Sequence, residues 1–91
     1  MTRFDISYLA LISKLLNLKY TINSNEELKD IIKYINDIDS GANLNWIDTS
    51  KITDMSHLFE SLTYFNGNIS EWNVSHVKNM YNMFYGCEYF N

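Results

Sequence analysis

Two stretches near the end of this chain are one pattern written twice. Ser50-Lys51-Ile52-Thr53-Asp54-Met55 is followed by Leu58-Phe59 and then by Tyr64-Phe65-Asn66. The same order returns 25 residues later as Ser75-His76-Val77-Lys78-Asn79-Met80, Met83-Phe84 and Tyr89-Phe90-Asn91. A fixed period of this size marks units that cannot bury an apolar face alone and must stack on their neighbours. Stacked units expose long surfaces and few closed cavities. The pattern therefore points to a binding surface and away from an enzyme.

The chain has 91 residues, which makes one domain with a modest core. Aromatic residues make up 15% of it, so large rings supply much of the apolar area that so small a core requires. The predicted layout is a single domain over 1–91. Residues 1–43 form a helical cap with one short strand, 44–68 form the first unit and 69–91 the second.

Within the cap, Ile6, Leu9, Ile12 and Leu16 recur at helical spacing, which predicts a helix over Asp5 to Leu18. Asp5 and Lys14 interrupt this segment, and no small-residue cleavage site follows it. It reads as a folded helix, neither a signal peptide nor a membrane span, and the chain as cytoplasmic. Lys19-Tyr20-Thr21-Ile22 is a run of β-formers and predicts a strand. Ser24 with Glu27 forms a capping box. Leu28, Ile31, Ile32 and Ile35 then give the apolar stripe of a second helix, with Gly41 as a left-handed cap.

In the units, Leu44-Asn45-Trp46 and Ile69-Ser70-Glu71-Trp72 predict short extended pieces. Ile52, Met55, Leu58, Phe59 and Leu62 match Val77, Met80, Met83, Phe84 and Cys87, spaced to place one side of a short helix inward. Asp48 and Asp54 are predicted to accept from nearby backbone amides. Asn66 is predicted to bond backbone across the stacked units, since its amide both donates and accepts.

Charge limits the partners. The net charge is −4, of which −3 falls in residues 41–91, where only Lys51 and Lys78 oppose five acids. Phosphate-backbone binding requires a basic patch, and this sequence lacks one. An acidic surface suits a protein partner with a basic surface. Cys87 is the only cysteine and occupies the position of Leu62, so it reads as a small core hydrophobe. His57 and His76 stand at different phases of the repeat, with no second ligand at metal spacing. No catalytic set, metal site or cofactor motif emerges.

Trp72-Asn73-Val74-Ser75-His76-Val77-Lys78-Asn79-Met80-Tyr81-Asn82-Met83-Phe84-Tyr85-Gly86-Cys87-Glu88-Tyr89-Phe90-Asn91 resembles the 25-residue unit of the BspA-like leucine-rich repeats of bacterial surface proteins. The resemblance covers roughly residues 19–91. It implies a short β/α, leucine-rich-repeat-like solenoid; with the two N-terminal helices read above as its cap, the predicted fold is α+β, two helices capping a two-turn solenoid. It also implies an association with adhesion.

Tyr81 and Tyr85 stand where the first unit has Ser56 and Glu60, so the core pattern does not demand them. They are predicted to face outward as interface anchors. Together with Glu88, Glu60 and Trp72 they form the predicted partner-binding site. The functional expectation is a non-enzymatic, acidic protein-binding module. It would be a stoichiometric inhibitor that occludes a partner such as a nucleic-acid enzyme, in the manner of phage-encoded anti-CRISPR proteins. The alternative is a truncated surface or adhesion repeat. A homodimer through the N-terminal helix or the open C-terminal end is a further expectation.

Overall fold

A computed structural model describes Ile12, Leu15, Leu16 and residues 18–91. The helix expected over Asp5 to Leu18 therefore lies largely outside the described residues, and so does any dimer contact through it.

The described chain opens with strand β1 (Tyr20–Thr21), continues through helix α1 (Asn25–Ile38) and reaches strand β2 (Ile47–Asp48). β1 and β2 pair in parallel, Tyr20 with Ile47 and Thr21 with Asp48. Helix α1 starts where the sequence places it. The Ser24 hydroxyl accepts from the Glu27 amide at 3.1 Å, and Glu26 and Glu27 occupy the electropositive first turn. Only half of the capping box forms, because the Glu27 carboxylate accepts from the Tyr20 hydroxyl at 3.3 Å. Burial and the Glu27 charge together push the Tyr20 phenol above its ordinary pKa. The helix ends on extended Asp39, whose carboxylate accepts from the Gly41 amide at 3.0 Å. The left-handed glycine cap is thus replaced by an Asx turn.

Leu28, Ile31, Ile32 and Ile35 all turn into the core, where they meet Ile22, Leu44, Ile47, Ile52, Met55 and Phe59. The Asn25 side chain fastens the start of the helix to the first unit by donating to the Asp54 carbonyl at 2.7 Å. The Lys19 ammonium donates to the Asn45 carbonyl.

The predicted architecture of two N-terminal helices capping a two-turn β/α solenoid is overturned. The described residues hold one bounded helix and one two-stranded parallel sheet. The predicted short helices of the units, across Ile52–Leu62 and Val77–Cys87, are consecutive turns. The predicted extended pieces at Leu44–Trp46 and Ile69–Trp72 are not strands; the extended pairing of the units is β2 and two isolated parallel bridges, Asn43 with Asn68 and Asp54 with Asn79. The cause lies in the backbone. A helix needs each amide to reach back to the carbonyl four residues earlier. Here the Met55, His57, Phe59 and Ser61 amides donate instead to the carbonyls of Asn79, Tyr81, Met83 and Tyr85, at 2.8–2.9 Å. His57 and Ser61 take positive φ, 59° and 65°, and so do their counterparts Asn82 and Gly86, 54° and 83°. Left-handed residues every few positions break a right-handed helix. Apolar spacing sets which side chains face inward; it does not say where the amides go.

Asx turns make the corners of each unit. Asn43, Asp48 and Asp54 each accept from the amide two residues on, at 2.8–3.0 Å. Asn68, Asn73 and Asn79 repeat those bonds at 3.0 Å in the same order, 25 residues later. The donating amides hold Asp48 below the usual carboxylate pKa, chiefly through Ser50, and hold Asp54 below it through Ser56.

A carboxyl whose folded pKa is depressed contributes stability above its ordinary value and loses it as pH falls through the folded value. Acid sensitivity of this kind therefore resides in the first unit, where two corners are Asp. In urea melts, Asp48→Asn keeps the accepting oxygen and is expected to flatten the loss of stability between pH 6 and pH 3. An unchanged pH slope in that variant would remove Asp48 from the account.

Candidate protein-binding surface

Side chains one period apart stack on each other through the units. The Phe59 and Phe84 rings lie 5.2 Å apart and 2° from parallel. Phe65 and Phe90 lie 5.5 Å apart, and Tyr64 and Tyr89 lie 5.2 Å apart. The first member of each phenylalanine pair is buried between layers, whereas the second covers it and meets solvent. Met55 and Phe59 are 0% exposed, while their counterparts Met80 and Phe84 are 47% and 36% exposed. Val74 is exposed as well. The second unit thus ends in an apolar, aromatic face.

Tyr81 and Tyr85 are exposed as expected, at 67% and 66%. His57 joins Tyr81 to the first unit. Its Nδ1 lies 2.9 Å from the Glu60 carboxylate, and its ring meets Tyr81 edge-on, with centroids 5.6 Å apart. The structure therefore brings Glu60, His57 and Tyr81 together as one cluster, a place for His57 that no spacing in the repeat suggests. Positive φ at His57 supplies the missing turn. Lys29 and Lys33 of α1 share a cleft of about 310 Å³ with His57 and Glu60, so this flank is of mixed charge.

Glu88 is exposed, but its described hydrogen bond is local, from its amide to the Gly86 carbonyl. Trp72 is held at the core, partly buried. Its indole N–H donates to the Leu44 carbonyl at 2.9 Å, and its ring stacks on Phe59 at 5.8 Å. It positions the surface from beneath. Met80, Phe84 and Val74 are the residues that sequence reasoning missed. Their phase marks them as core, and only the lack of a covering layer exposes them.

Cys87 behaves as the core hydrophobe its position predicts. It is half-buried, its thiol is pushed above its usual pKa by burial, and its Sγ lies 2.9 Å from the Phe59 carbonyl. Among the described residues no group of His, Cys, Asp and Glu is arranged to hold a metal ion. Among them too, no helix is long and apolar enough to cross a membrane.

Residues 26–91 match a family described as Mycoplasma protein of unknown function, DUF285. The chain belongs to that family. The match takes in nearly all of α1 and both units. β1 lies before the matched residues. No curated protein and no solved structure matches the chain significantly. The family assignment supports a repeat protein of this kind and does not extend to the leucine-rich-repeat class.

Proposed function

We propose that this DUF285 chain is a non-enzymatic protein-binding module whose contact surface is the exposed aromatic side of the second unit. One observation carries the reading. Residues whose equivalents are wholly buried in the first unit, Met80 and Phe84, stand open in the second, beside the exposed Tyr81 and Tyr85. Contiguous apolar surface edged by polar groups is the usual mark of an interaction site. Tyrosine supplies large contact area with little side-chain freedom to lose.

Within this reading the chain acts by occupying its partner. The acidic balance of residues 41–91 favours a partner with a basic surface, such as a nucleic-acid enzyme, and a stoichiometric inhibitor in the cytoplasm is the form we favour. The second reading, a repeat from a surface or adhesion protein, draws on the likeness to BspA-like units and uses the same face.

The test is capture of a defined partner from a lysate of the source cells. Wild type is compared with a Tyr81→Ala, Glu88→Lys double variant whose thermal melt is unchanged. Loss of the partner in the variant is the expected result. Equal capture by both proteins would remove this surface from the reading. A nucleic-acid enzyme retained after nuclease treatment would favour inhibition, and a cell-surface component would favour the second reading.

A further inference from the structure

Asn66-Gly67 is the only Asn-Gly pair in this chain. The other asparagines precede residues with side chains, Asn68 before Ile69 and Asn73 before Val74 among them. A main-chain nitrogen can attack the side-chain carbonyl of an asparagine just before it, and a Cβ on the attacking residue hinders the approach. Gly67 presents a nitrogen without that hindrance.

The contact between layers calls for both residues. Gly67 is buried, and a Cβ there would lie 2.7 Å from the Ala42 carbonyl oxygen. The Asn66 side chain accepts from the Asn91 amide at 3.0 Å, across the layers. The reactive pair is therefore a product of the packing. It belongs to the first unit, which the second already covers.

We propose that Asn66 is a self-modifying site, at which the Gly67 nitrogen closes on the Asn66 side chain and the folded protein converts this amide to aspartate and isoaspartate. The Gly67 nitrogen adds to Asn66 Cγ, and a new C–N bond forms. The bond from Cγ to Nδ2 breaks, and ammonia leaves with the proton of the Gly67 amide. Water then opens the cyclic imide. Cleavage of the new bond at Cγ gives aspartate. Cleavage of the original peptide bond gives isoaspartate, whose main chain runs through Cβ and Cγ. Water is the one co-reactant, and nothing is oxidised or reduced.

Three observations favour the reaction at this position. First, the Gly67 amide has no acceptor among the described residues, so no hydrogen bond holds its proton. Its neighbours differ: the Asn66 amide donates to the Ser40 carbonyl and the Asn68 amide to the Ala42 carbonyl. Second, the Asn91 amide points at Oδ1, the atom that takes up negative charge as the nitrogen adds. A donor placed there stabilises that charge. The same bond fixes the side-chain amide, because only its oxygen can accept, and leaves Nδ2 free to depart. Third, Asn66 is exposed, so water reaches the imide.

The two products differ in what they do to the fold. Aspartate keeps an accepting oxygen for the Asn91 amide and adds one negative charge. Isoaspartate adds a methylene to the main chain between two fixed points, the Asn66 and Asn68 amides at 2.8 and 3.0 Å from their carbonyls. Close packing at Gly67 has no room for it. The isoaspartate form therefore loses the grip of the first unit on the turn after α1.

The test holds the purified full chain at mildly alkaline pH in water enriched in heavy oxygen, below its melting temperature. Peptide mapping by mass spectrometry then reads every asparagine. The label is expected to enter residue 66 ahead of all other asparagines, as a mixture of aspartate and isoaspartate. Asn66→Gln, which would have to close a larger ring, is expected to abolish labelling at that position. The isoaspartate form, separated by ion exchange, is expected to melt below both wild type and Asn66→Asp. Labelling of Asn66 no faster than that of Asn68 or Asn73 would overturn the proposal. So would modification confined to urea-unfolded protein, which would show that the folded layers block the attack. An isoaspartate form that melts with the wild type would overturn the claimed effect on the layer contact.

Discussion

Phe59→Ala is expected to cost about 3–5 kcal/mol, the range for deleting a large buried aromatic side chain. Phe59 is 0% exposed and lies where every layer meets. Its ring stacks on Phe65 at 4.3 Å, on Phe84 at 5.2 Å and on Trp72 at 5.8 Å. Truncation leaves three rings facing a void. They cannot collapse into it, because the chain on both sides is bonded to the next unit through the His57, Phe59 and Ser61 amides. A chain of this size has a total stability of only about 5–14 kcal/mol, so the loss is a large share of it. The melting temperature is expected to fall by more than about 12 °C. Phe59→Leu, which refills most of the volume, is expected to cost clearly less. Chemical denaturation followed by tryptophan fluorescence measures both, and a cost below about 1 kcal/mol for the alanine variant would show that the stack is not the centre of the core.

Gly67→Ala is the second large effect, and its cause is too much matter instead of too little. A Cβ on Gly67 would lie 2.7 Å from the Ala42 carbonyl oxygen and 2.8 Å from the Phe65 ring. The backbone cannot back away. On either side of Gly67, the Asn66 amide donates to the Ser40 carbonyl at 2.8 Å and the Asn68 amide to that same Ala42 carbonyl at 3.0 Å. Overpacking in well-packed interiors costs about 1–3 kcal/mol, and the upper end is expected where the obstacle is backbone. Gly41→Ala is the control. Its Cβ would meet nothing nearer than the Asp39 carboxylate at 3.7 Å, and restricting the unfolded chain is expected to be neutral or to stabilise slightly. Thermal melts of the pair check the contrast. Equal melting temperatures would mean that close approach at Gly67 is not what holds the layers together.

The sequence announced the layers but not their internal structure. The 25-residue period placed Phe59 over Phe84, Tyr64 over Tyr89 and Phe65 over Phe90, and each of these pairs stacks. Helix α1 was legible because its apolar stripe and its Ser24 cap act locally. The predicted unit helices failed because apolar spacing at Ile52, Met55, Leu58 and Phe59 fits a run of turns equally well. The choice was made by amides reaching into the next layer, a long-range contact invisible within a short window.

Among the candidate site residues, Tyr81 and Tyr85 were legible because they depart from the repeat's own pattern. Trp72 is half-buried, a placement the sequence does not reveal because its indole N–H finds the Leu44 carbonyl, 28 residues earlier in the chain. Asn66 bonds across the layers as its chemistry suggests, accepting from the Asn91 amide at 3.0 Å. Met80 and Phe84 follow the repeat faithfully, so nothing in their identity reveals that they are uncovered.

The corner turns separate electrostatics from architecture. Asp48 and Asn73 hold the same bend with the same accepting oxygen, as do Asp54 and Asn79. Exchanging aspartate for asparagine at these corners alters the charge of the rim one unit at a time while leaving the bend in place. A scaffold built this way can be retuned toward basic, neutral or acidic counterparts by single-atom edits, amide nitrogen for carboxylate oxygen, without redesigning the packing behind them.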